Sequence, residues 1–178
     1  MGRLIFSTQM ALDGLIDPMA AGGGWFVPTS ENAARGRQQL RDAEAMLLGW
    51  TTFEGLAGFW STQQDEWAEL LNPMTKYVVS RSPHEQVPWN GSMVEGGIDG
   101  VADLKRRLDG DLLSVGCGAL AHELSLRGLV DELRFWVHPI VAGDGARPFH
   151  GLGQVRMELT DEQRLDHGVV LLCYRPMV

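Results

Sequence analysis

Cysteine is scarce in this chain: Cys117 and Cys173 are the only two. Two widely separated thiols exclude a disulfide framework and a close metal-binding pair, so free thiols are expected. Histidine is sparse too. His84, His122, His138, His150 and His167 never pair at i and i+4, and none sits in an acid cluster, so no metal site is expected. No run approaches the roughly 18 to 20 apolar residues that span a bilayer, and MGRLIFSTQM turns polar too early for a secretory signal. A soluble, cytoplasmic protein is the expectation. Basic residues are in deficit, 15 Lys and Arg against 23 Asp and Glu for a net charge of -8, which disfavours binding to a polyanion such as DNA. The clusters Arg35/Arg37/Arg41 and Lys105/Arg106/Arg107 read as solvated helix faces. A small anionic ligand stays open, because a pocket can be positive on a negative protein.

What is present is 178 residues, 44% of them hydrophobic, enough for one domain over 1–178 with a substantial core. RLIFST favours a strand, and ALDGLIDP adds an Asp13-Gly14 turn signal. The AAGGGWFVP stretch predicts a mobile lid around residues 22–24. Thr29 or Ser30 caps a helix running to about residue 43. AMLLG is a short buried strand ended by Gly49, followed by helical patterns at 50–57 and around Trp67, Leu70, Leu71 and Met74. KYVVS, SMVEG and DLLSV read as strands, with a helix seam at Val101, Leu104 and Leu108 between the last two. ALAHELSLRG is a helix that Gly128 ends. VDELRFWVHPIV is a long strand in which Leu133, Phe135 and Val137 alternate with Glu132, Arg134 and Trp136. The tail folds into a hairpin through Asp166-His167-Gly168. Alternating strands and helices followed by successive strands predict an α/β fold: a mostly parallel sheet with helices on its faces and a C-terminal antiparallel hairpin.

In open α/β sheets, ligands sit at the carboxyl ends of strands, where helix N-termini present free N–H groups. Three such ends carry suitable residues. Gly116-Cys117-Gly118 follows DLLSV; it lacks a third glycine for a G-x-G-x-x-G fingerprint and equally fits an ordinary turn. Thr51 and Thr52 follow AMLLG, and Ser80-Arg81-Ser82 follows KYVVS with a hydroxyl and a guanidinium fork suited to phosphate. Cys117 at a helix start invites a nucleophile reading, with a small buried residue as the alternative. Trp25, Phe26, Phe59, Trp60 and Trp67 could line an apolar pocket for a flat heterocycle or belong to the core.

With these segments in hand the chain resembles a known superfamily. RLIFSTQMALDGLID, AMLLGWTTFEGL, KYVVSRS and VGCGAL, in that order, look like segments of dihydrofolate reductase. SENAARGRQQLRDAEAMLLG and GLVDELRFWVHPIVAGDGARPF look more like the C-terminal reductase domain of bacterial riboflavin biosynthesis. The resemblance spans nearly the whole chain and implies a dihydrofolate reductase-like three-layer fold, NADPH as cofactor and a homodimer through the C-terminal strands. It places Gly49, Thr51 and Thr52 beside the adenosine phosphates, and Ser80 and Arg81 at the ribose 2′-phosphate. Gly116, Cys117, Gly118, Ala119 and Leu120 would lie under the pyrophosphate and nicotinamide, with Ile16 by the ring. The family has a cis bond between paired glycines here, and whether Gly116–Cys117 keeps it stays open. Asp13, Glu31 and Trp60 are the candidate substrate contacts, Asp13 with Asp17 flanking Gly14; Asp13 also suits the turn, and Glu31 the first turn of a helix. No catalytic acid is identified. Val115 stands where the riboflavin-pathway domain has a glutamate, which argues against its ribosylaminopyrimidine substrate. The expected activity is an NADPH-dependent hydride transfer to a small pterin- or pyrimidine-like heterocycle or carbonyl compound, the alternative being a nucleotide-binding protein without turnover.

Overall fold

The computed structural model describes residues 2–16, 25–26, 29–82, 84–149 and 154–177. The expected lid at 22–24, Asp17 and His150 lie outside them. Along the chain come β1 (Leu4–Ala11), α1 (Ser30–Asp42), β2 (Ala43–Gly49), α2 (Trp50–Trp60), α3 (Glu66–Leu71), β3 (Thr75–Val79) and β4 (Gly91–Met93). Then follow α4 (Val101–Arg107), β5 (Asp111–Val115), α5 (Ala119–Leu126), β6 (Glu132–His138), β7 (Arg156–Arg164) and β8 (Val170–Met177). They form two compact units, one of residues 1–4 and 36–114, the other of 5–35 and 115–178.

In the first unit the strands run β4-β3-β2-β5, and each pair is parallel. Ala45, Met46, Leu47 and Leu48 of β2 are all buried, as befits a parallel strand covered on both faces. The second half of α1 docks on α3: a Cβ at Gly36 would sit 2.5 Å from the Trp67 ring, Arg37 lies 5.8 Å over that ring, and its guanidinium pairs with Glu66 at 3.2 Å. Trp67 thus packs against a helix rather than lining a pocket. Asp65 caps α3 through the Trp67 and Ala68 amides. At the other end of α3 the fully buried Lys76 donates from Nζ to the carbonyls of Leu71 and, at 3.2 Å, Asn72, with the Trp89 ring 4.0 Å away. A lysine thus closes a helix C-terminus from inside the core. Lys105, read as surface, is also buried, while Arg106 stays exposed and pairs with Asp103. Its long apolar stem makes such burial feasible on a short amphipathic helix.

In the second unit the order is β1-β6-β8-β7; β1/β6 is parallel and the C-terminal pairs β6/β8 and β8/β7 are antiparallel. The mostly parallel class with a C-terminal antiparallel hairpin is as the sequence predicts. β6 is shorter than expected, and its two faces do not divide into buried and exposed. Trp136, which alternates with the Leu133, Phe135 and Val137 set, is 2% exposed, its indole N–H donating to Ser7 Oγ at 2.9 Å, so β6 is covered on both sides. The N-cap of α1 resolves to Thr29, whose Oγ1 accepts from Asn32 N at 3.0 Å. The tip of the β7–β8 hairpin is tied to α1 through Glu31, which accepts from Asp166 N at 2.7 Å, and through Arg35 and Gln163.

Candidate cofactor site

In the first unit, β2 and β3 pair from Ala45↔Thr75 to Gly49↔Val79. That register brings the residues after each strand, Trp50-Thr51-Thr52 and Ser80-Arg81, to the same end of adjacent parallel strands. Gly49 is the N-cap of α2 and supplies no side-chain cap. The first amides of that helix therefore keep free donors, with the exposed Thr51 and Thr52 among them. Arg81 is exposed; Ser80 is half-buried, and its Oγ accepts from Ser82 N at 3.1 Å. One residue that sequence reasoning missed completes the rim. His84 Nε2 lies 2.9 Å from Ser80 Oγ, and the imidazole stacks on Trp50 with 3.3 Å between centroids and 9° between planes. Its spacing of four from Ser80 was the only signal. An open surface groove in this unit is lined by Glu95, Asp99, Asp103, Arg106 and Arg107 with two glycines, three acids against two arginines.

In the second unit, Gly116 N donates to Ser7 O at 3.0 Å, and Gly116 takes φ +83°, a left-handed conformation that costs a side-chain-bearing residue about 1–2 kcal/mol. Gly118 is the N-cap of α5, again without a side-chain cap, and the positions a Cβ would take at Gly116 and Gly118 are open. This turn is therefore an unobstructed backbone approach to a helix start, the arrangement an oxyanion ligand needs. The described residues contain no cis peptide, so Gly116–Cys117 is trans. Cys117 is 1% exposed and burial pushes its thiol up to about 12, so the small-buried-residue reading holds over the nucleophile.

Asp13 and Ile16 stand at the end of β1 in a loop laced to residues 140–146. Leu12 N donates to Ile140 O at 2.8 Å and Ile16 N to Ala146 O at 2.9 Å. The Asp13 carboxylate accepts from Gly143 N at 2.8 Å and Ala142 N at 3.3 Å. The Gly143 amide, foremost, holds Asp13 below the ordinary carboxylate pKa, helped by Ala142 and by Arg147. Asp13 is thus occupied in bracing the loop at Ala142 and Gly143, and Glu31 is occupied at the hairpin tip. Trp60 is half-buried at the end of α2, edge-on to the exposed Phe59 at 4.9 Å. Trp25 is buried, its ring 5.6 Å from that of His138, which also meets Phe26 at 5.2 Å. His138 is fully buried, hydrogen-bonds Gln9 Oε1 at 2.7 Å, and burial pushes its pKa below the ordinary imidazole value.

No helix among the described residues is long and apolar enough to cross a membrane. The chain is 25% identical to the uncharacterized protein YyaP of Bacillus subtilis (strain 168) over 97% of its own length and 94% of that protein's. Among solved structures it resembles a putative riboflavin biosynthesis protein from Shewanella sp. PV-4, with TM-score 0.75 and 17% identity over the full length of both. It also resembles dihydrofolate reductase from Enterococcus faecalis complexed with NADP(H), with TM-score 0.63 and 14% identity over 99% of this chain and 98% of that one. The fold is dihydrofolate reductase-like. A family model matches residues 3–171, and the chain belongs to the RibD C-terminal domain family.

Proposed function

We propose that the protein is an NADPH-dependent reductase of small planar heterocycles or carbonyl compounds. The observation that carries this reading is the pairing, at one end of β2 and β3, of an uncapped helix start with Ser80 and Arg81. A 2′-phosphate monoester needs a cation and hydrogen-bond donors, and this rim offers both. The turn at Gly116, Cys117, Gly118, Ala119 and Leu120 suits a diphosphate, which accepts from backbone amides and needs glycine-like clearance. Family membership and the likeness to a reductase seen with NADP(H) support the same reading. The nucleotide would supply a hydride to an electrophilic carbon. What the chain supplies is binding and orientation: Arg81 and Ser80 the phosphate contacts, and Ile16 an apolar neighbour held by its bond to Ala146.

Isothermal titration tests this. Wild type should bind NADPH more tightly than NADH, and Arg81→Ala should weaken NADPH by about 10- to 100-fold, the worth of a charge-assisted hydrogen bond, while leaving NADH nearly unchanged. Equal affinities in wild type, or equal losses in the variant, would remove the 2′-phosphate contact. A binding protein without turnover is the second reading, favoured by the engagement of Asp13 and Glu31 in backbone contacts. NADPH oxidation against pterins, pyrimidines, quinones and aldehydes separates the two, since binding with no turnover on any of them supports the second.

We also propose a homodimer through the C-terminal strands. β6, with its apolar LRFWVHPIV stretch, lies between β1 and β8, so the available strand of this unit is β7, where seven of nine residues are exposed. Sedimentation at micromolar concentration should give twice the chain mass, and a monomer there refutes the dimer.

A further inference from the structure

Ser80 Oγ has one proton to donate and two lone pairs. One lone pair is taken by Ser82 N–H at 3.1 Å. The contact to His84 Nε2 at 2.9 Å runs in either direction. If Ser80 donates to an unprotonated Nε2, its proton is consumed and the hydroxyl has little left for a ligand. If His84 donates from Nε2–H, both lone pairs are filled and the proton is left facing outward, in need of an acceptor.

The ring is also held. His84 lies flat on Trp50, Trp50 packs on the buried Phe53 at 5.7 Å, and Phe53 meets Trp89 at 6.0 Å. This aromatic ladder ties a loop histidine to the strand ends that carry Ser80 and Arg81.

We propose that His84 is a positioning residue that donates from Nε2 to Ser80 and thereby makes the Ser80 hydroxyl a dedicated donor to the 2′-phosphate of an adenine nucleotide. This rests on the NADPH reading above. His84 then selects for the monoester without touching the adenosine or nicotinamide portions.

Adenosine 2′,5′-bisphosphate and adenosine 5′-monophosphate are the probes, titrated calorimetrically into the full-length protein. Wild type should prefer the bisphosphate. His84→Phe, which keeps the stack on Trp50 but removes Nε2, should lower that preference about fivefold and leave the monophosphate unchanged. Ser80→Ala should do the same, and the double variant should be no worse than Ser80→Ala, because His84 acts through Ser80. His84→Gln, which retains a side-chain N–H donor, should recover part of the preference. An unchanged preference in His84→Phe, losses that add in the double variant, an equal loss for both probes, or no recovery with His84→Gln would overturn the proposal. A wild type that does not distinguish the probes would sink the parent reading as well. Discrimination lost in Arg81→Ala but kept in His84→Phe would sink this proposal alone.

Discussion

Replacing Lys76 by alanine should destabilise the protein by about 4 kcal/mol, the sum of a large-to-small core truncation and two helix-end carbonyls left without a donor. For a chain of this size that corresponds to a fall in thermal midpoint of about 8 to 16 °C by scanning calorimetry. Lys76→Met keeps the stem volume and should cost less, about 1–2 kcal/mol, since only the hydrogen bonds to Leu71 and Asn72 and the contact with Trp89 are lost. Two influences compete at this ammonium. The carbonyls and the Trp89 face favour its charge, whereas burial disfavours it; burial prevails, and the pKa falls from 10.5 to about 8. Between those values the unfolded chain binds more protons than the folded one. The stability advantage of wild type over Lys76→Met should therefore be constant below about pH 8 and grow as pH rises toward 10.5. An advantage that shrank over that interval would show the charged amine to be the form the core prefers.

Gly100→Ala should be nearly as damaging. Gly100 has φ -76° and ψ -10°, a conformation open to any residue, so dihedral preference gives no warning. Its restriction is contact: a Cβ there would overlap the Glu95 carbonyl oxygen, which is backbone and cannot rotate away. Accommodating it means moving the turn between β4 and α4, at a cost of about 3 kcal/mol. The same turn lies against the rim, since a Cβ on Gly97 would be 3.8 Å from the Ser80 carbonyl. Chemical denaturation should register the loss, and discrimination between NADPH and NADH should fall with it. Gly55→Ala, on α2 with nothing near the new methyl, should instead be neutral or stabilising by up to about 1 kcal/mol. Equal midpoints for the two alanine variants would refute the contact argument.

The sequence disclosed the elements whose pattern is local. The run AMLLG reads as a buried strand because both faces of β2 are covered, and Gly128 marks the end of α5 because it sits at φ +65° just past it. What stayed hidden depends on partners distant along the chain. Trp136 falls in step with Glu132 and Arg134, where alternation alone does not tell that it is enclosed; the Ser7 hydroxyl across the β1–β6 pair does. Lys105 read as a surface charge, and Lys76 went unremarked within the strand KYVVS, because nothing in a linear pattern reveals which lysine stem will be enclosed. His84 could not be joined to Trp50, because their stacking follows from β2 and β3 lying side by side, a fact of topology. Of the candidate site, the strand ends and their hydroxyls were readable; the work that Asp13 and Glu31 do on distant backbone amides was not.

Both native thiols are sealed, Cys117 at 1% and Cys173 at 6% exposure, with burial pushing Cys173 up to about 11 as well. The wild-type chain is therefore a silent background for maleimide chemistry. A single new cysteine at the exposed Glu85 would carry a fluorophore next to the Trp50–His84 stack, turning occupancy of that corner into an optical signal without removing any natural residue of the rim.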